Sequence, residues 1–212
     1  MGYTVYAMPK GGRFYKSLED CEPRDAALEL ISREVSRYSI EGAVAELGVY
    51  RGDFAKRINH FFPDKKLYLF DTFAGFDGRD AVVDRERKFS TGDQDFSRTS
   101  EQLVLDKMEH RENCIVKKGW FPETAEGVQD KFCFVSLDVD LYKPTLAGLN
   151  FFYPRLIGGW GVLWFMILIT GNIRAFVRRL RSSVSKIASA MSVCRMPVGR
   201  LLSPGKSLLC RR

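Results

Sequence analysis

Three groups of residues combine types and spacings that suit chemistry. The first is Glu46-Leu47-Gly48-Val49-Tyr50-Arg51-Gly52. Its glycines let the backbone approach a ligand closely, and the N–H groups at the start of a following helix attract polar or anionic groups. The second is Asp71, 23 residues after Gly48. In nucleotide-binding α/β folds an acidic side chain at this place accepts hydrogen bonds from a ribose diol, although a helix cap or turn residue would also suit it. The third is the pair Asp138 and Asp140 in SLDVDLY, 136–142. Carboxylates at the carboxyl end of a strand can hold a hard cation through oxygen, which makes Asp138 a metal candidate. Strand alternation would turn both aspartates to one side, while either could instead cap the next turn.

Other chemistry finds little support. No GxSxG elbow occurs, and no GxxxxGK followed by Ser or Thr. The only two histidines, His60 and His110, fall in a helix and at a helix end, where packing or surface roles are expected. Phe73, Phe76, Trp120 and Phe121 could stack on a planar ligand or simply fill the core. The five cysteines, Cys21, Cys114, Cys133, Cys194 and Cys210, show no metal-binding spacing, and their odd number points to a reduced compartment.

The elements that must position these groups alternate. Leu28, Ile31, Val35 and Tyr38 predict a helix over 24–38, after Pro23. AVAEL (43–47) is a short apolar strand between Gly42 and Gly48, and Phe54, Ile58, Phe61 and Phe62 follow at helical spacing. KLYLFD (66–71), CIVKKG (114–119) and the strongly apolar FCFVSLD (132–138) predict three further strands. Residues 72–98 read as a long functional loop, a lid over the sheet edge. Thr99 and Gln102 resemble a capping box opening a helix to Met108, Pro122-Glu123-Thr124 suggests another helical start, and Lys143–Tyr153 predicts the return helix. The run Val162–Ile169 is too short to span a bilayer and could be a fifth strand. No internal repeat or low-complexity tract interrupts the pattern. Alternation of strand and helix, with strands that read as buried rather than as alternating apolar and polar, implies a doubly wound α/β sheet.

With 212 residues, 45% apolar and 28% charged, the chain has the composition of a folded domain. Its N-terminal MGYTVYAMPKGGRFYK has neither a signal-peptide core nor a myristoylation motif, so a cytoplasmic location is expected. The net charge of +7 is segregated: after Asp140 there are 12 Lys or Arg and no acids, against 21 basic and 26 acidic residues before it. That basic tail opens an alternative reading, a binding protein that contacts nucleic acid or anionic membrane. Weak periodicity at Ile173, Phe176, Val177, Leu180 and Val184 would suit a basic amphipathic helix.

AELGVYRGDFA (45–55), LYLFDTFAGF (67–76), KKGWFPETA (117–125) and SLDVDLYKPT (136–145), in this order, resemble the macrocin O-methyltransferase family over about residues 40–160. The resemblance implies a Rossmann-like class I methyltransferase sheet, with S-adenosylmethionine as cofactor and magnesium as metal. It implies a cofactor loop of Glu46, Gly48, Tyr50 and Gly52, and Asp71 as ribose ligand. It also implies Asp138 as catalytic residue and first magnesium ligand. The implied reaction moves the sulfonium methyl in line to a hydroxyl of a sugar or glycoside, which the metal grips and acidifies. No nucleic-acid partner and no membrane span are expected, and a homo-oligomer stays open. A nicotinamide-dependent oxidoreductase is disfavoured by the lack of GxGxxG.

The sequence departs from the family after the Gly158-Gly159 turn. There the resemblance expects a strand ending in His-Asp or Asp-Asp to complete the metal site, and the aligned residues are Phe165 and Met166. Phe165-Met166-Ile167 must be encoded TTY-ATG-ATH, and a shifted frame through TTC-ATG-AT reads CAT-GAT, His-Asp. Permitted codons of residues 193–203, shifted alike, can yield Leu-Ser-Asp-Ala-Cys-Gly-Ser-Ala-Val-Ile-Ala, close to the family's C-terminal strand. The expected organisation is therefore a helical extension over 1–40, a cofactor-binding α/β domain over 41–161, and an aberrant, disordered basic tail over 162–212. The last strands would be missing or altered and the activity impaired.

Overall fold

The computed structural model describes residues 23–90, 92–158, 161–165 and 200–202, together with 178 and 182. Helix α1 (Pro23–Arg37) leads into strand β1 (Ala43–Leu47), helix α2 (Asp53–Phe61) and strand β2 (Leu67–Asp71). Helices α3 (Gly78–Arg87) and α4 (Glu101–Leu105) precede β3 (Cys114–Lys118), β4 (Phe132–Leu137), α5 (Tyr142–Phe152) and β5 (Val162–Phe165). A short β6 (Arg200–Leu202) completes a sheet of order β3-β2-β1-β4-β5-β6, every pairing parallel.

The period of two along each strand sorts the core into two layers. Val44, Leu67, Leu69, Phe134 and Trp164 face one way, onto Leu28 and Val35 of α1 and Ile58 of α2. Ala45, Leu47, Phe70, Leu137 and Leu163 face the other, onto Leu149 and Phe152 of α5. Glu46 shares the parity of Val44, so it points to the α1 side. The strand order reverses between β1 and β4, and in an open parallel sheet a ligand crevice forms at the carboxyl ends on either side of that switch.

The doubly wound architecture and its principal strands are those the apolar runs predict. Three local expectations change. The long loop over 72–98 contains α3, which the sequence hides because its buried residues are Asp80, Ala81 and Asp84, giving no apolar period. The cap of α4 is Ser100, whose Oγ accepts from Leu103 N at 3.2 Å, and the helix ends at Leu105, well before Met108. Thr99 instead donates to the Tyr50 carbonyl. The start foreseen after Pro122 yields a single 3₁₀ turn, Glu123–Ala125.

Of the segment foreseen as a tail, 162–165 forms strand β5, as the apolar run there allowed, with Leu163 and Trp164 buried, and 200–202 forms β6. The residues Ile173, Phe176, Val177, Leu180 and Val184, whose spacing suggested a basic amphipathic helix, and the cysteines 21, 194 and 210 lie outside the described residues. Among the described residues no helix is long and apolar enough to cross a membrane.

Candidate functional site

β1 hands the chain to a loop that only glycine can follow at one point. Gly48 has φ +90°, and a Cβ there would lie 2.1 Å from the Asp138 carbonyl oxygen. The end of β1 is thus drawn to β4, with Asp138 N donating to Leu47 O at 2.8 Å, and to β2, with Gly48 N donating to Phe70 O at 2.9 Å. Gly52, φ +76°, precedes α2, and a Cβ on it would meet Val104 Cγ1 of α4 at 2.9 Å. Tyr50 takes φ 49° without being glycine. Its carbonyl accepts from Thr99, and its ring meets Phe96 edge to face at 5.0 Å, contacts that offset the cost of that backbone.

Asp71 ties this loop down. Its Oδ2 accepts from Val49 N at 2.7 Å and Tyr50 N at 2.8 Å, and its Oδ1 accepts from Phe73 N at 2.7 Å. Asp71 thus acts as a turn residue, holding the Val49 and Tyr50 amides of the loop and the Phe73 amide after β2, and it also lines the cleft.

Charge gathers behind the loop. Glu46 is 1% exposed, and its Oε2 has no hydrogen-bond partner among the described residues. Burial first, then the nearby Asp138, pushes its carboxyl well above the usual carboxylate range, against the pull of Arg24. Asp138 is pushed up to about 6 by burial, with Arg24 opposing and Asp140 adding to the rise. Arg24, on the first turn of α1, places Nη2 2.9 Å from Asp138 Oδ2 and lays its guanidinium 4.0 Å from the centre of the Phe54 ring.

These groups line one cleft of about 300 Å³ at the strand ends. Glu46, Gly48, Tyr50, Asp71, Asp138 and Asp140 all meet there, with Phe76, Trp120 and Phe121 among the aromatics. Phe73 instead is buried in the core, His60 pairs with Glu109 at the surface, and neither histidine reaches the cleft. Arg24 was missed, because nothing in a helix start announces a partner 114 positions later. So was the contact of α3 with Trp120. There Asp80 accepts from Trp120 Nε1 at 2.9 Å, and Arg79 covers the same indole at 4.0 Å.

The metal expectation meets a different donor set. Asp138 faces a guanidinium, and among the described residues no three His, Cys, Asp or Glu side chains are grouped to hold an ion. Phe165 occupies one of the two positions where the family resemblance expects ligands, and Met166 lies outside the described residues. These residues do not fit magnesium, which needs oxygen ligands in near-octahedral array. An elongated polar cofactor fits better, given the close backbone approach at Gly48 and the unpaired Glu46 carboxylate oxygen.

The fold is that of the O-methyltransferase NovP, with TM-score 0.52 and 20% identity over 64% of this chain and 62% of that one. The calicheamicin methyltransferase CalS11 gives 0.51 and 22% over 65% and 62%. The chain thus spans under two thirds of either, and at such identities the likeness is one of fold. No curated protein matches significantly. The family model described as Macrocin-O-methyltransferase (TylF) matches residues 22–194, most of the length, and its match includes the loop, the cleft and α1 with Arg24. The chain belongs to the macrocin O-methyltransferase family.

Proposed function

We propose that the cleft binds S-adenosylmethionine and a small glycoside or sugar, and that the protein is an O-methyltransferase acting on a sugar hydroxyl. The observation that carries this is the β1–β4 cleft, in which a glycine-lined loop, an acid on β2 and a carboxylate on β4 converge at the switch point of a sheet whose family transfers methyl groups. NovP and CalS11, which share the fold, are named as an O-methyltransferase and a calicheamicin methyltransferase.

In this reading Glu46, Gly48 and Tyr50 hold the cofactor, Gly52, which does not line the cleft, turns the loop into α2 against Val104, and Asp71 fixes the loop while bordering the ribose. The cofactor supplies an electrophilic methyl on a sulfonium. Asp138, at the β4 end, accepts a hydrogen bond from the acceptor hydroxyl, orients it and receives its proton as the oxygen takes the methyl and the sulfonium becomes a thioether, the catalytic role left to it where the donor set does not fit magnesium. The aromatics on the lid side exclude water. Because binding both partners in one geometry removes most of the entropic barrier, positioning is the main contribution these residues make. Transfer by this chain is slow, since Asp138 lacks the ligands that would acidify the hydroxyl.

Calorimetry with S-adenosylmethionine and its demethylated product tests the reading. One molecule bound per chain is expected, with affinity reduced at least about tenfold by Asp71→Ala, which releases the loop amides. No heat from a folded preparation overturns it.

A further inference from the structure

Two polar atoms of the cleft residues are buried and have no hydrogen-bond partner among the described residues: the acceptor Glu46 Oε2 and the donor Arg24 Nε. Both side chains line the same cavity, and Arg24 is the positive charge that favours the ionised form of Glu46. Neither orphan is expected in a finished interior, because a buried polar group without a partner keeps its full desolvation penalty. One is negative when ionised and the other always positive. Together they complement a zwitterion, with an ammonium for Glu46 and a carboxylate for Arg24.

We propose that Arg24 is the carboxylate-recognising residue of the cofactor's α-amino-acid end, with Glu46 opposite it receiving the ammonium. This rests on the cofactor reading above and assigns a positioning residue outside the loop. The guanidinium carries five N–H donors, of which Nη2 is spent on Asp138, so the Nε edge remains available without breaking that ion pair. The Phe54 ring at 4.0 Å fixes the guanidinium plane, and the site is thereby preorganised. The same arrangement ties α1 to the cofactor, which makes the helix before the sheet part of the binding site.

The test compares two ligands on the full chain and its variants. S-adenosylhomocysteine carries the amino-acid end, and 5′-methylthioadenosine has the same nucleoside without it. Arg24→Gln is expected to weaken S-adenosylhomocysteine by about tenfold or more while leaving 5′-methylthioadenosine within about twofold, as loss of one charge-assisted hydrogen bond requires. Arg24→Gln with Asp138→Asn must show the same selective loss, which removes the unpaired aspartate as its cause. Glu46→Gln should weaken S-adenosylhomocysteine but not its deaminated analogue. Equal loss of both ligands in Arg24→Gln, or no loss, overturns the assignment and leaves Arg24 as a latch between α1 and β4. If the wild-type chain binds neither ligand, the cofactor reading itself falls.

Discussion

Glu46 concentrates the electrostatics of the site in one carboxyl. Burial and the neighbouring Asp138 hold its proton on well above the usual carboxylate range. To receive an ammonium it must lose that proton, so ligand binding and ionisation are linked. The sign follows: a bound cation lowers the carboxyl's pKa, protons are released, and affinity for S-adenosylhomocysteine rises with pH until the free carboxyl itself ionises. Titrations in buffers of different ionisation enthalpy should show net proton release near neutral pH. In Glu46→Gln that release should disappear and the pH profile should flatten. A release unchanged in the variant would locate the titrating group elsewhere.

Two helices act as props for the cleft, and each can be tested as an element. α4 is only five residues long, yet Val104 on it fills the space that Gly52 leaves beside the loop. Gly52→Ala adds a clash at 2.9 Å to the strain of a positive φ, and should cost a few kcal/mol. Val104→Ala removes a fully buried side chain and costs stability alone, but in the double variant the clash is relieved. A coupling of about 1 kcal/mol in a urea-denaturation cycle is expected, and strict additivity would show that the contact is not the constraint.

α3 meets α5 through Asp84, whose oxygens accept from Tyr142 N at 3.0 and 3.2 Å at the first residue of α5. Burial pushes Asp84 up to about 6, with the Tyr142 amide opposing and Asp80 adding to the rise. A carboxyl raised in the folded state favours folding below its unfolded pKa, near 4, and loses that contribution as pH climbs through about 6. Asp84→Asn should therefore gain in melting temperature relative to wild type as pH rises from 4 to 7. A constant difference across that range would contradict the assignment.

At the scale of the whole molecule the charge is divided, with no acid after Asp140 against 12 basic residues. We propose that residues from about Gly161 onward are read out of frame, which accounts for the missing acids and for Phe165-Met166 where the family resemblance expects His-Asp. The family match extends to residue 194 and β5 pairs with β4 through Phe165, so the change concerns the site's chemistry more than the sheet's presence. Sequencing the underlying DNA should reveal an alternative frame that runs on without early stop codons and encodes His-Asp at this point. Restoring that frame should bring magnesium dependence and faster methyl transfer together. Early stops, or brisk magnesium-dependent transfer by the chain as given, would end the proposal.

The apolar strands Ala43–Leu47, set between Gly42 and Gly48, and Phe132–Leu137, and the turn at Gly48 itself, were legible because burial on both faces and positive φ restrict residue type locally. From these the sequence by itself determined the doubly wound sheet and the loop Glu46–Gly52, with Asp71 and Asp138 at strand ends. It could not show α3, whose buried residues are acids and an alanine, nor the choice of Ser100 over Thr99 as a cap, since adjacent hydroxyls offer the same chemistry. Tertiary structure alone decided that Asp71 spends its oxygens on three loop amides and that Arg24 crosses from α1 to Asp138. The reason is physical: a side chain's chemistry depends on the field and the partners around it, and those are supplied by segments far away in sequence that only the folded sheet brings within hydrogen-bonding distance.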